Sequence, residues 1–424
     1  MANSYVTLGA NTARTIWMQA FVEIEEQESV MSRLFAKPGE GGLNAPGMTS
    51  DEKTTETFVV DAVSNVVGPA VPWGATLTSN TTAQQWKATT GTRHTFAQAV
   101  AMRKKDMAKT PRDLKAHVMT GLAHHWARLK DQYLVYEMSL GKSSAIFEAA
   151  EILTDADAYQ AGLTNLGTGV TSDFNAVVNT KNIGRDDVDT TTYKGLNCWA
   201  CGELPETSGP ITSIPADFWD TAMDADPTQY QPRVVDFVYL QQYLADRSVP
   251  SLRSVDKKTN VRQGIYIVFL PLAAITALRR DPEYIDVRDN NQEFAYELYD
   301  GTMYKTAIEG LVLIQANHDM ATMVGNTPLR AEAVTVNGTV THLKVEGLVV
   351  GGASVAQSSY DDSLDITEAT ENDFNRTPKY GYDMIYGATK TYRVDDSAQL
   401  YANCASLLMT VPIWGAPATA TIAQ

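Results

Sequence analysis

Residues 110–141 read TPRDLKAHVMTGLAHHWARLKDQYLVYEMSLG, and this stretch decides how the rest of the chain is organised. Thr110 is a good helix N-cap, because its hydroxyl can accept from a free amide of the first turn. Pro111 follows at the first helical position, where a missing N–H costs nothing. Asp113 puts a carboxylate near the positive end of the helix dipole. Leu114, Val118, Leu122, Trp126, Leu129, Tyr133, Tyr136 and Leu140 then recur at steps of three and four, which makes one apolar face. The other face carries Lys115, Arg128, Lys130 and Asp131. Gly141 supplies the left-handed residue that commonly ends a helix. The pattern predicts a single helix over 111–140, about 45 Å long at about 1.5 Å per residue. Globular helices average only about 11–12 residues, so this one is a spine.

Around it lie 424 residues, 44% hydrophobic and 20% charged, with a formal charge of −16. That length exceeds one compact core and calls for two or more packed regions. The acidic balance disfavours tight, non-specific nucleic-acid binding, which needs clustered Lys and Arg. It leaves room for a protein that encloses nucleic acid without gripping it. The first residues lack the apolar core of a signal peptide. The longest apolar run, 265–274, is about half a membrane span and contains Pro271. Three cysteines make no disulfide framework. A soluble protein made inside a cell, with no membrane partner, is expected.

Upstream of the spine, residues 23–35 have the spacing of a short helix, and 37–50 hold four glycines and two prolines, a linker composition. Residues 58–63 read as a strand, 76–92 are polar and Thr-rich, and a second strand is expected near 92–96. This is a two-stranded excursion with a polar tip, marginal alone in water. Downstream, 144–161 are weakly helical and 162–192 loop-rich. An amphipathic helix over 233–246, a buried strand over 265–270 and a short helix over 273–280 are the signature of a sheet covered by helices. Residues 310–314 give another strand. Asn337-Gly338 between Val334-Thr335-Val336 and Thr339-Val340-Thr341 is a strong hairpin signal. Leu348-Val349-Val350-Gly351-Gly352 ends that region, and 382–392 and 400–412 alternate enough to be strands.

Candidate chemistry is sparse. Cys198-Trp199-Ala200-Cys201 has redox spacing, but a thioredoxin-type site wants a helix directly after it, and Pro205 argues against one. A structural zinc site needs four ligands, and no second CxxC exists, so these read as two structural cysteines in a loop. His124 and His125 are adjacent on a helix and cannot share a metal as an i, i+4 pair would. Gly141-Lys142-Ser143 lacks the first glycine of a phosphate loop. The clusters Asp186-Asp187-Val188-Asp189 and Asp361-Asp362 lack calcium-loop spacing. No catalytic, cofactor-binding or metal-binding residue is expected.

The order of parts then carries a resemblance. An arm, a polar β-excursion, a long helix, a helix-covered sheet and returning strands resemble the major capsid proteins of tailed bacteriophages. The match is most specific from Thr110-Pro111-Arg112-Asp113-Leu114 through Trp126-Ala127-Arg128-Leu129-Lys130-Asp131-Gln132 to Ser139-Leu140-Gly141. There it is similar to the family typified by the coliphage N-four coat protein. Residues 233–246, Tyr266-Ile267-Val268-Phe269-Leu270-Pro271, Leu278-Arg279-Arg280-Asp281 and Leu348-Val349-Val350-Gly351-Gly352-Ala353 add to it. Leu270-Pro271 stands where that family usually has His-Pro.

The resemblance implies an α+β capsid fold. Its parts would be an N-terminal arm (1–53), an extended loop (54–96), a peripheral domain (97–144 and 356–424, spine helix 111–140) and an axial domain (145–355). It implies self-assembly through hexamers and pentamers into an icosahedral shell around packaged double-stranded DNA, without sequence-specific binding. Portal and decoration proteins would be neighbours, and the chain would be made in the host bacterial cytoplasm and end in the virion. Trp73 and Trp86, with Trp17 in the arm, are the expected intersubunit anchors, because large aromatics dominate interface energetics. An encapsulin-type compartment shell is the alternative within the fold, and a CxxC redox protein the alternative from another class.

Overall fold

The computed structural model describes residues 29, 31, 34, 57–63, 86–101, 114–139, 198–202, 223–246, 249–256, 262–284, 296–297, 303–304, 307–308, 310–316, 329, 331–336, 339–359, 365–370, 378–394 and 400–413. The expected helix cap at Thr110-Pro111, its end at Gly141, the helix over 144–161 and the acidic clusters lie outside these residues. So do Asn337-Gly338, although the strands they were expected to join pair as an antiparallel hairpin with Val336 opposite Thr339.

A ten-stranded mixed sheet forms the centre. Strand Arg262–Leu270 runs parallel to Leu311–Gln315 and antiparallel to both Leu252–Asp256 and the end of Thr339–Val350. Thr339–Val350 is in turn paired with Cys404–Pro412 from His342↔Pro412 to Val350↔Cys404. Residues 265–270 are all buried because alternate side chains point to opposite faces of a strand, and both faces are covered. Ile265, Ile267 and Phe269 join the core under the spine helix. Tyr266, Val268 and Leu270 join the core under helices Val234–Asp246 and Leu272–Leu278. The result is three layers: spine helix, sheet, short helices. Asp281, just beyond the short helix, accepts from the Val234 amide at 2.9 Å and caps the neighbouring helix.

A four-stranded sheet lies beside this assembly. Its long strand, Pro378–Lys390, pairs with His94–Ala101 along one edge and with Val355–Ser359 and Asp365–Thr370 along the other. Phe96, Tyr382 and Tyr386 face the spine helix and surround Trp126, with ring centroids 5.7, 5.7 and 5.9 Å away.

The two sheets meet at a polar turn. Gly351 and Gly352 run so close to Pro250, Ser251 and Asn403 that a Cβ on Gly351 would lie 2.7 Å from the Pro250 carbonyl. Ala353 follows with φ 51°, a left-handed conformation costly for an L-residue with a Cβ. Its carbonyl accepts from Asn403 Nδ2 at 3.0 Å and from the Thr391 hydroxyl. Ser354 Oγ is 2.6 Å from the Gly351 carbonyl and 3.0 Å from that of Asn403.

The structure corrects several expectations. The strand expected near 92–96 is two strands: Trp86–Thr92 pairs with Thr57–Val63, and His94–Ala101 leaves for the four-stranded sheet. Between them Arg93, buried, donates from Nε to Ser358 Oγ at 3.0 Å and lies over the Phe58 ring at 5.8 Å. Cys404–Pro412 is not an alternating strand; residues 404–411 are all buried, because it lies inside the large sheet. Its polar members are satisfied there, Ser406 Oγ by Glu346 Oε1 at 2.5 Å and the Thr410 hydroxyl by the Pro227 carbonyl. Cys198–Ala200 is a short strand, not a loop, and lies parallel to Ser406–Leu408 in register.

Candidate assembly surfaces

The spine helix, Leu114–Ser139, carries the stripe read from the sequence, with Leu122, Trp126 and Tyr133 buried and Val118 and Leu129 half-buried. Its burial is wider than one stripe. Ala123, Ala127, Asp131, Leu134 and Met138 are also buried and recur at steps of three and four. Asp131 lies in the middle of this second stripe at 1% exposure, so its placement on the charged outer face is corrected. Its Oδ1 accepts from the Ser29 hydroxyl and, at 3.3 Å, from the Met31 amide. Met31 and Leu34 enter the same core, and Leu34 N–H donates to the Met31 carbonyl at 2.9 Å, closing a turn. The second stripe was legible as small and apolar residues around one acid; the charge of Asp131 hid it.

The first stripe meets the four-stranded sheet. The Tyr133 hydroxyl lies 3.4 Å from the Ala388 carbonyl and accepts from the Ala388 amide at 3.3 Å. Burial, reinforced by Glu137, pushes its phenol above the ordinary tyrosine range, and burial does the same to Tyr382. The His125 ring has Nδ1 2.8 Å from the Tyr382 hydroxyl. Burial and then Arg128 hold its pKa below the usual histidine value.

At the root of the excursion, Phe58 and Val60 are buried with Ala356, while Val59 between them is 39% exposed. The root therefore packs within its own chain and leaves its other face exposed. Of the expected anchors, Trp86 lies on the excursion opposite Val63. Trp17 and Trp73 lie outside the described residues. Among the described residues, the other large apolar side chains left exposed are Val100 and Ile385 on the four-stranded sheet and Leu272 on the short helix.

The cysteine motif has structural ties. Cys201 is buried and its amide donates to the Leu408 carbonyl at 2.9 Å. Gly202, at φ 81°, donates to Asp236 Oδ1 at 3.0 Å and passes so close to the Gln229 carbonyl that no Cβ fits. Trp199 packs on Tyr243 with centroids 5.2 Å apart. A reactive thiol needs access and an electropositive setting. Cys201 has no such access, and the fully buried Cys404 thiol, whose pKa burial pushes up, donates to the Met138 carbonyl at 3.2 Å. Among the described residues no group of three or more His, Cys, Asp or Glu is placed to hold a metal ion. No described helix is long and apolar enough to cross a membrane.

A charged group that sequence reasoning missed is Lys344, buried in the strand Thr339–Val350. Its ammonium lies 3.0 Å from Asp224 Oδ1, tying the segment at 223–225 to the sheet. Nothing in a β-rich stretch of alternating residues distinguishes such a lysine from a solvated one.

No protein-family profile and no curated protein matches the sequence. Solved structures do match the fold. The capsid of Ralstonia phage GP4 aligns at a TM-score of 0.57 and 11% identity, over 92% of this chain and 93% of that one. The acid-stable capsid of the Helicobacter pylori bacteriophage KHP30 aligns at 0.53 and 12%, over 91% of each chain. The capsid of cyanophage Pam1 aligns at 0.52 and 11%, over 90% of this chain and 92% of that one. The chain has the fold of tailed-phage capsid proteins.

Proposed function

We propose that this chain is a major capsid protein, whose copies form the icosahedral shell around the double-stranded DNA of a tailed bacteriophage. One observation carries the reading: the likeness to phage capsids runs over nine-tenths of the chain or more, not over a shared core alone. The role is structural and not enzymatic. The described thiols, Cys201 and Cys404, are buried.

Hexamers and pentamers of the chain would make the shell, with portal and decoration proteins as neighbours. The product would be the virion, from protein made in the host cytoplasm. The formal charge of −16 suits a wall that must release its contents, since strong attraction to DNA would hinder filling and ejection. The sequence of the spine helix, from Arg112-Asp113-Leu114 to Trp126, is what favours the N-four type within the tailed phages. The proposed parts are an arm (1–53), an extended loop (54–96), a peripheral domain (97–144 and 356–424) and an axial domain (145–355). The last two would share a sheet, because Cys404–Pro412 pairs with Thr339–Val350. Trp17, Trp73 and Trp86 remain the proposed anchors between subunits.

Sedimentation of the purified chain tests this. Particles of megadalton mass are expected, and a chain that stays monomeric or dimeric at every concentration and ionic strength would refute it. An encapsulin-type compartment would also sediment as a particle, but particles recovered from phage-producing cells would then lack DNA.

A further inference from the structure

We propose that Asp131 is a positioning residue that docks the N-terminal segment onto the second stripe of the spine helix of the same subunit. A carboxylate in an apolar core is costly unless hydrogen bonds compensate it. Here two of those bonds come from the segment itself, from the Ser29 hydroxyl and the Met31 amide. The apolar part of the docking is supplied by Met31 and Leu34, both buried in the same core as Leu134 and Met138. Leucine at position 131 would fill such a stripe without any polar partner, so the acid is not there for packing. It selects a segment that presents a hydroxyl and, two residues later, a free N–H just before an apolar turn. The chain meets that description at Ser29-Val30-Met31, followed by Leu34. Undocking leaves the carboxylate short of two donors within a core, so docking of the segment and burial of the helix reinforce one another.

In a shell, the segment from Ser29 to Leu34 would then be a fixed root for the residues that precede it; this consequence alone rests on the capsid reading. Amide hydrogen exchange on unassembled full-length protein tests the docking itself. A hydrogen bond to a charged group is worth enough to slow exchange about tenfold or more. Ser29→Ala is therefore expected to speed Met31 exchange about tenfold, with amides of 118–138 unchanged. Asp131→Leu is expected to release 29–34 by about a hundredfold or more, both bonds being lost. Asp131→Asn, whose amide oxygen still accepts, is expected to restore most of the protection. Equal protection of Met31 in the wild type, Ser29→Ala and Asp131→Leu would overturn the proposal. So would an Asp131→Asn protein that behaves like Asp131→Leu, which would make the site one of packing or charge alone. If Asp131→Leu does not fold, Ser29→Ala and Asp131→Asn decide the matter by the same comparison. Protection of 29–34 that disappears on dilution would place the contact between subunits and refute docking within one. Failure of the wild-type protein to form particles would refute the capsid reading and leave the exchange result standing.

Discussion

Replacing Trp126 by alanine is expected to be among the most damaging single changes in the spine helix. The side chain is 1% exposed and lies among three rings, those of Phe96, Tyr382 and Tyr386. Truncating a buried Trp generally costs about 3–5 kcal/mol, the larger values arising where the surroundings cannot collapse. Collapse is resisted here because all three rings sit on two strands held together in register, Met384 opposite Phe96 and Tyr382 opposite Gln98. Each tilted or edge-on ring pair adds about 0.5–1.5 kcal/mol beyond its buried area. The upper end, about 5 kcal/mol, is therefore expected. At about 1.4 kcal/mol per tenfold, that lowers the folded-to-unfolded ratio by more than a thousandfold. Urea unfolding of unassembled subunits, followed by circular dichroism, measures it. Arg128→Ala, two positions on and exposed, is the control and should fall within about 0.5 kcal/mol of wild type. A Trp126→Ala midpoint no lower than that of Arg128→Ala would refute the packing described for the helix and the four-stranded sheet.

Limited proteolysis is expected to cut free subunits rapidly between Gly74 and Lys87 and to spare the root at Phe58 and Val60, with assembled particles resisting at both places; equal resistance in both forms would mean that the whole excursion packs within its own subunit. Ala353→Gly should stabilise the protein by about 0.5–1 kcal/mol, because glycine adopts a left-handed φ without a Cβ penalty. Asn403→Ala should cost about 1–3 kcal/mol through the bonds it leaves unmade, and thermal unfolding that reversed either sign would contradict the turn as described. Tyr133 and Tyr382 are held neutral by burial. Their folded pKa values lie above the unfolded value of about 10, so their contribution is intact below about pH 10 and lost as pH rises further. Unfolding midpoints measured from pH 8 to 11 should fall at the upper end, less steeply in Tyr382→Phe, and a midpoint rising there would contradict it.

What the sequence showed clearly was whatever repeats locally. The stripe from Val118 to Tyr133 has the helical period, residues 265–270 are apolar throughout because both faces of that strand are covered, and the hairpin around 337–338 is marked by its turn residues. Long-range pairing was not visible in this way. Nothing in His94–Ala101 announces that it will lie against Pro378–Lys390, far along the chain. Trp86–Thr92 was hidden by its polarity, although threonine is β-branched and favours strands. Asp131 was misplaced because a charge on a helix is usually solvated; its neighbours at Ala127, Leu134 and Met138 pointed inward. The proposed assembly anchors are the least legible part, since a tryptophan that binds a neighbour has the same sequence signature as one that fills a core.

Electron cryomicroscopy of the purified, concentrated chain is the most direct test of the central claim. Closed icosahedral particles are expected, with the spine helix, the large sheet and the four-stranded sheet recognisable in every subunit of the reconstruction. Particles that are absent under all conditions, or open assemblies in which the subunits make no shell, would contradict it.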